Sequence, residues 1–112
     1  MQNLKAEVVA ALKTLTDSVY FFYPPEKAAL PFIVYHEIQN DPEFAADDAE
    51  LTSKIGFGIS VFCEGSTSAM AGEVNRVMAE IDFYRDMCVD GEPENGAHVK
   101  HMRFIIEKEE LN

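Results

Sequence analysis

Hydrophobic residues recur along the chain with two periods, one typical of helices and one typical of strands. Between residues 3 and 15, apolar side chains stand three or four positions apart, which predicts an amphipathic helix. A second helical pattern follows "GSTS" at 65–68, where several hydroxyls are candidates for the N-cap. The apolar stripe of this second helix consists of Met70, Val74, Val77, Met78 and Ile81.

Five other segments have the character of strands. The clearest is 51–64, where the odd-numbered residues from Ile55 to Cys63 are apolar and share one face. The opposite face is nearly bare at Gly56 and Gly58, and glycines within a strand usually mark a bend or a close approach by other backbone. A phosphate-binding loop is a weaker alternative, because no helix follows "GFG" directly. The remaining predicted strands are 19–23, 32–39, 83–89 and 97–108.

The resulting order, α-β-β-β-α-β-β, is typical of the α+β class, because strands follow one another instead of alternating with helices. We expect an antiparallel sheet of four to five strands with both helices packed on one face. The length favours a single domain over residues 1–112.

The segment "VYFFYPPEKAALPFIVYHEI", residues 19–38, joins two of these strands. Proline has no amide hydrogen to donate to a sheet, so Pro24 and Pro25 end the first strand, and the second resumes after Pro31. We interpret the segment as strand, stiff loop and strand, with its aromatic residues buried in the sheet. A polyproline recognition motif and an aromatic ligand pocket are the alternatives.

The chain is strongly acidic, with 20 acidic residues against nine basic and a formal charge of −11. This charge disfavours binding to nucleic-acid phosphates and to anionic membrane surfaces. Six acids and no base lie between Glu37 and Glu50, so we predict a mobile, solvated loop from Asn40 to Glu50 that orders against a basic partner. Calcium binding is the alternative, but the segment lacks the central glycine of an EF-hand loop. The candidate partner-contact residues are Asp41, Glu43, Phe44, Asp47, Asp48 and Glu50.

No pattern of catalytic, cofactor-binding or metal-ligating residues stands out, so we expect neither an enzyme nor a cofactor. His98 and His101 are three residues apart, which places them on opposite faces of a strand and argues against a shared zinc ion. With no secretory signal at the start, Cys63 and Cys88 are expected to be reduced thiols of an intracellular protein, with Cys63 buried. A single disulfide is the alternative. No window is apolar for long enough to span a membrane.

Three stretches together resemble the small tail-completion proteins of long-tailed phages and prophages, also called tail-to-head joining or tail-terminator proteins. These stretches are "VYFFYPPEKAALPFIVYHEI", "DDAELTSKIGFGISVFCEGSTSAMAGEVNRVMAEIDFYR" and "HMRFIIEKEE". The resemblance covers residues 4–109, and its most specific parts are the proline loop between strands, "LTSKI" and "GSTSAMAGEVNRVM".

The resemblance implies a structural protein of the virion tail that is made in the host cytoplasm. Such a protein closes the tail tube, contacts the major tail protein and head-connector proteins, and forms a ring, commonly a hexamer, from subunits that can be monomeric when free. It brings no catalytic residues. Two alternatives from other classes stay open. One is an acidic mimic of nucleic acid that inhibits a DNA-binding protein, and the other is a small ligand-binding domain or hydrolase.

Overall fold

The computed structural model describes residues 4–44 and 50–109, which form two helices and one five-stranded sheet. The element order is the predicted one, α-β-β-β-α-β-β, and the α+β class is confirmed. The elements are α1 Leu4–Lys13, β1 Val19–Phe21, β2 Phe32–Phe44, β3 Glu50–Cys63, α2 Ser68–Glu80, β4 Tyr84–Asp90 and β5 His98–Glu109.

The hydrophobic core lies between the two helices and one face of the sheet, which we call the helix face. The predicted apolar residues of β3 point into it, and Phe57, Ile59 and Val61 are fully buried. They pack with Val74 of α2 and Leu12 of α1 in one cluster, so both helices cover the same face, as predicted. This arrangement follows from the hydrophobic periodicity of the sequence. Each helix has one apolar stripe and β3 has one apolar face, so the helices and the sheet bury these apolar sides against each other.

Helix α2 begins at Ser68, within the hydroxyl-rich segment 65–68 that predicted its start. Thr67 occupies the N-cap position, but its side chain makes no capping hydrogen bond. The hydroxyl of Ser66 instead accepts a hydrogen bond of 3.1 Å from the amide of Ser68. One of the free amides at the start of the helix is therefore satisfied.

The strand order across the sheet is β1-β2-β3-β5-β4. Neighbours are antiparallel except for β1 and β2, which are parallel with Val19 opposite Ile33 and Phe21 opposite Tyr35. The prediction of a purely antiparallel sheet was therefore wrong, and the sheet is mixed. The physical reason is the length of the connection at 22–31. Strand β1 has three residues and is about 10 Å long, so this connection can return the chain to the end of the sheet where β1 began, and β2 then runs in the same direction. A tight turn would have made the two strands antiparallel.

The β2–β3 hairpin is longer than the sequence indicated. Residues 40–44 and Glu50 belong to strands, with Asp41 opposite Lys54 and Phe44 opposite Glu50. The prediction of a loop from Asn40 to Glu50 was therefore wrong at both ends, while residues 45–49 lie outside the described part of the chain. Pro42 is compatible with a strand here, because β1 pairs with β2 only at 33–35 and leaves the outer edge of 40–44 without a described neighbour.

Candidate functional site

Three strand segments extend past the two edge strands and form what we call the arm: residues 39–44, 50–55 and 106–109. Among the described residues, β1 reaches only to 35 of β2, and β4 pairs with β5 only between 100 and 105. The arm therefore consists of β2, β3 and β5 alone. It accounts for part of the elongated shape of the molecule, which measures 53 × 24 × 23 Å.

Most of the predicted partner-contact residues lie on this arm. Asp41, Glu43 and Phe44 are in β2 and Glu50 is in β3, whereas Asp47 and Asp48 fall outside the described residues. The side chain of Asp41 is exposed, and its carboxylate accepts a hydrogen bond of 2.9 Å from Nε2 of Gln39.

The strand register adds acidic residues that the sequence did not assign to this surface. Glu107 stands opposite Lys54, and Glu109 stands opposite Thr52. The arm therefore carries five acidic residues and two basic ones. They are Asp41, Glu43, Glu50, Glu107, Glu109, Lys54 and Lys108. None of the four ion pairs found among the described side chains includes an arm residue.

The aromatic residues at the end of β1 and directly after it are more exposed than predicted. Phe21 and Phe22 are about half exposed and Tyr23 is 76% exposed, so the interpretation of this run as buried sheet aromatics was wrong. Phe22 has a φ of 67°, a left-handed conformation that is unusual for a bulky residue. This conformation ends the strand and turns the chain towards the proline loop, which leaves these rings at the edge of the sheet.

The sheet face opposite the helices, which we call the loop face, contains a groove of about 420 Å³. One wall is the proline loop and the other is the turn at 94–97. The floor includes His36, Ser60 and His101, and the rim carries Glu26 and Glu94. Phe22 packs against His36 with ring centroids 5.0 Å apart. The sheet side of the groove combines these polar residues with the apolar side chains of Phe32, Val34 and Phe62, and no lysine or arginine is among its described lining residues.

Two polar side chains of this floor are bonded to each other. The Ser60 hydroxyl and Nδ1 of His101 are 2.7 Å apart and share a hydrogen bond. His98 stands opposite Cys63 and His101 opposite Ser60, so the two histidines occupy opposite faces of β5, as predicted. Within residues 4–44 and 50–109, no cluster of three or more histidine, cysteine or acidic side chains is placed to hold a metal ion.

The two cysteines are free thiols. Cys63 is buried, as predicted, and burial raises the pKa of its thiol above the ordinary value. Cys88 is half-buried and packs against the edge of the core. Neither described helix has the length and apolar character that a membrane-spanning helix needs.

No protein-family model matches the sequence, and no curated protein matches it. Among solved structures, the chain is similar to a chain in the structure described as "Virion of native gene transfer agent (GTA) particle". The two share 18% sequence identity with a TM-score of 0.57, and the match covers 92% of this chain and 85% of the other. At this identity the match shows a common fold.

Proposed function

We propose that this protein is a structural component of a phage or phage-like particle, which completes the tail and joins it to the head connector. In this proposal it acts as a ring-forming subunit, without catalysis. The observation that carries the proposal is the common fold with a virion chain over 92% of the length.

Sequence features support the same role independently. The proline loop between β1 and β2, the "LTSKI" start of β3 and the "GSTSAMAGEVNRVM" entry to α2 follow the order of the tail-completion proteins. In the structure these stretches lie in the connection between β1 and β2, at the start of β3, and in and just before α2. Exposed aromatic rings and open sheet edges are suited to contacts between subunits.

The acidic arm is the surface that we propose contacts a neighbouring tail or connector protein. It extends past both edge strands, so a partner can reach it from several sides. Its excess of carboxylates favours a basic partner surface and disfavours DNA. The role of Asp41, Glu43, Phe44, Asp47, Asp48 and Glu50 in this contact is part of the proposal.

Deletion of the gene from a strain that produces the particles tests this function. We expect electron microscopy to show filled heads and separate tails that do not join, with joining restored by the wild-type gene on a plasmid. Normal tailed particles in the deletion strain would contradict the proposal.

The groove on the loop face favours a second candidate function, the binding of a small ligand. Its volume of about 420 Å³ lies within the range of known ligand sites, roughly 300–1,000 Å³. The acidic rim favours a cationic ligand with an apolar body. A thermal-shift screen with such compounds distinguishes the structural role from ligand binding. A ligand-binding protein is stabilised in a saturable way by its ligand, whereas a subunit without a ligand site is not.

A further inference from the structure

The groove on the loop face brings two carboxylates to one opening. Glu26 comes from the proline loop and Glu94 from the turn at 94–97, so they belong to different walls. Both residues are exposed, and neither takes part in the four ion pairs found among the described side chains. Lys27 follows Glu26 in the sequence but does not line the groove. The charge of the groove therefore favours a cation from outside the chain.

The backbone holds both walls in place. In the turn, the amide of Ala97 donates a hydrogen bond of 2.8 Å to the carbonyl of Glu94, and the amide of Glu94 donates one of 3.1 Å to the carbonyl of Ala97. At the other wall, the amide of Phe22 donates to the carbonyl of Tyr35 over 2.9 Å. A groove that is already formed in the free protein reduces the entropy cost of binding.

Two aromatic rings of the groove are open to a ligand. Phe22 and Tyr23 are exposed, and their ring centroids are 5.0 Å apart, so we call them the aromatic wall. The cation–π contact found among the described residues, between Lys5 and Phe21, lies outside the groove. The faces of the aromatic wall are therefore not occupied by a described cation of the chain itself.

The floor adds one imidazole that is free to bond. The ring of His36 lies over Gly58, where a Cβ atom would come within 2.9 Å of it. None of the hydrogen bonds found within residues 4–44 and 50–109 uses the ring nitrogens of His36, whereas His101 is bonded to Ser60. The free polar groups of the groove are thus two carboxylates and one imidazole.

These features suit a guanidinium group better than an ammonium group. A guanidinium is planar and weakly hydrated, so it stacks on aromatic rings, and its N–H donors form a fork that matches carboxylates. An ammonium is a compact and strongly hydrated charge without a planar face. Arginine is therefore the side chain that combines the aromatic wall and the carboxylates.

The charge of the chain favours a different protein as the source of this arginine. At a formal charge of −11, copies of the chain repel one another. Two of its three arginines, Arg76 and Arg103, are already paired with carboxylates of the same chain. The volume of about 420 Å³ is near the lower end of the range of ligand sites, roughly 300–1,000 Å³, and suits a side chain on a short segment better than a folded element.

We infer that the groove binds an arginine side chain on an exposed segment of a basic tail or connector protein, with the guanidinium on the aromatic wall and bonded to Glu26 and Glu94. The inference rests on the proposed role in joining the tail to the connector and adds a second contact surface to it. This surface is separate from the arm, since Ser60 and Thr52 are eight residues apart in β3, about 27 Å.

Glycine–serine peptides with one central arginine test the chemistry without a known partner. Matched peptides carry lysine, or citrulline, which is the neutral analogue of arginine. Each is titrated into the isotope-labelled full-length protein and followed by NMR. We expect the arginine peptide to shift the amide signals of Phe22, Tyr23, Glu26 and residues 94–97 in a saturable way. The lysine peptide should bind more weakly, and the citrulline peptide at least about tenfold more weakly.

Variants of the protein test the two carboxylates. Glu26→Gln and Glu94→Gln each remove one charge at an exposed position, so each should weaken binding of the arginine peptide about threefold and the double variant about tenfold. Glu92→Gln is the matched control, because Glu92 is exposed and close to Glu94 in the sequence but does not line the groove. It should bind the arginine peptide like the parent.

An array of short overlapping peptides from the other tail and connector proteins of the particle identifies the segment. We expect a bound peptide to contain an arginine and to bind at least about tenfold more tightly than N-acetylarginine amide. Replacement of that arginine by citrulline should abolish the difference.

Several results would overturn the inference. They are a citrulline peptide that binds as well as the arginine peptide, a Glu92→Gln control that weakens binding as much as the groove variants, and an array without a bound peptide. N-acetylarginine amide that binds as tightly as every array peptide would make the groove a small-ligand site. Self-association in sedimentation velocity that is lost in Arg85→Gln would place a second copy there instead.

Failure of this contact is distinct from failure of the proposed function. If gene deletion leaves heads and tails unjoined while the double variant Glu26→Gln with Glu94→Gln restores joining as well as the wild type, the function stands and the groove contact is wrong. If array peptides bind as expected but deletion leaves normal particles, the contact stands and the joining function is wrong.

Discussion

At the scale of single residues, the glycines of β3 provide space for side chains of the neighbouring strands. A Cβ atom on Gly56 would come within 2.9 Å of Cδ1 of Ile105 and 3.2 Å of Cβ of Gln39. A Cβ on Gly58 would come within 2.9 Å of the His36 ring. The bare strand face was visible in the sequence, but the side chains that fill it come from β2 and β5. They could not be identified before the register was known.

Substitution of Gly56 by alanine should therefore destabilise the protein by about 1–3 kcal/mol, the usual effect of overpacking. The matched control is Gly72→Ala in α2, where an added Cβ meets no atom within 4 Å. That change should stabilise the protein by about 0.5–1 kcal/mol, because alanine is the better helix former. Urea unfolding measures both changes. Equal effects of the same sign would contradict the packing described for Gly56.

The buried thiol of Cys63 gives a prediction for reactivity. With Cys88 replaced by serine, Cys63 should react with a thiol reagent much more slowly in the folded protein than in urea, because the thiolate is the reactive form and burial disfavours it. Cys63→Ala leaves only the half-buried Cys88 and should react faster. Rapid native labelling of Cys63 would place it on the surface.

The same pKa shift affects stability at high pH. The raised pKa means that the folded state keeps the Cys63 proton when the unfolded state has lost it, so the folded state binds more protons above the ordinary value of 9.0. The contribution of this thiol to stability is complete below that pH and should decline as the pH rises above it. Cys63→Ala should show a flatter decline of the free energy of unfolding between pH 8 and pH 10. An unchanged slope would contradict this.

At the scale of helices and strands, long periodic segments were predictable and short ones were not. Alternation over β3 and the stripe of α2 identified both elements and the face that each buries. The direction of β1 was not predictable, because three residues carry no register information and the loop that follows decides the pairing. The extension of β2 through 40–44 was missed because acidic residues and a proline are rare in strands, yet pairing with β3 offsets their low propensity.

Val74 is the sharpest test of the packing of α2, since it is fully buried in the core cluster. Val74→Asp would place an unpaired carboxylate there and should lower the free energy of unfolding by about 3–5 kcal/mol. Its neighbour Asn75 is exposed, so Asn75→Asp adds the same charge without burying it and should change stability by less than about 0.5 kcal/mol. If Val74→Asp melts within a degree or two of the parent, α2 does not face the sheet as described.

The arm gives a prediction about binding. If its carboxylates pair with a basic partner, binding of the purified partner protein should weaken as salt rises, because exposed charges are screened over about 8 Å at physiological ionic strength. Asp41→Asn, and Asp47→Asn with Asp48→Asn, should each weaken binding and reduce its dependence on salt. Glu73→Gln on α2, far from the arm in sequence and element, is the control for total charge. Binding that is insensitive to salt, or equally weakened by the control, would contradict a role for the arm.

At the scale of the whole molecule, the elongated shape presents an acidic arm at one end and, on the loop face, a groove lined in part by the exposed aromatic residues Phe22 and Tyr23. The acidic residues of 41–50 were apparent from the sequence, but the complete arm and the groove each combine residues from segments far apart in the chain. The sequence supplied the resemblance and the charge, and the topology determines where the charged and apolar side chains meet.

Quantitative mass spectrometry of purified particles decides whether this chain is a component of a virion. We predict that the protein is present at a small and constant copy number per particle, equal to one ring, relative to the abundant head and tail proteins. Absence from purified particles, when the protein is abundant in the lysate from which they were prepared, would contradict a structural role in the virion.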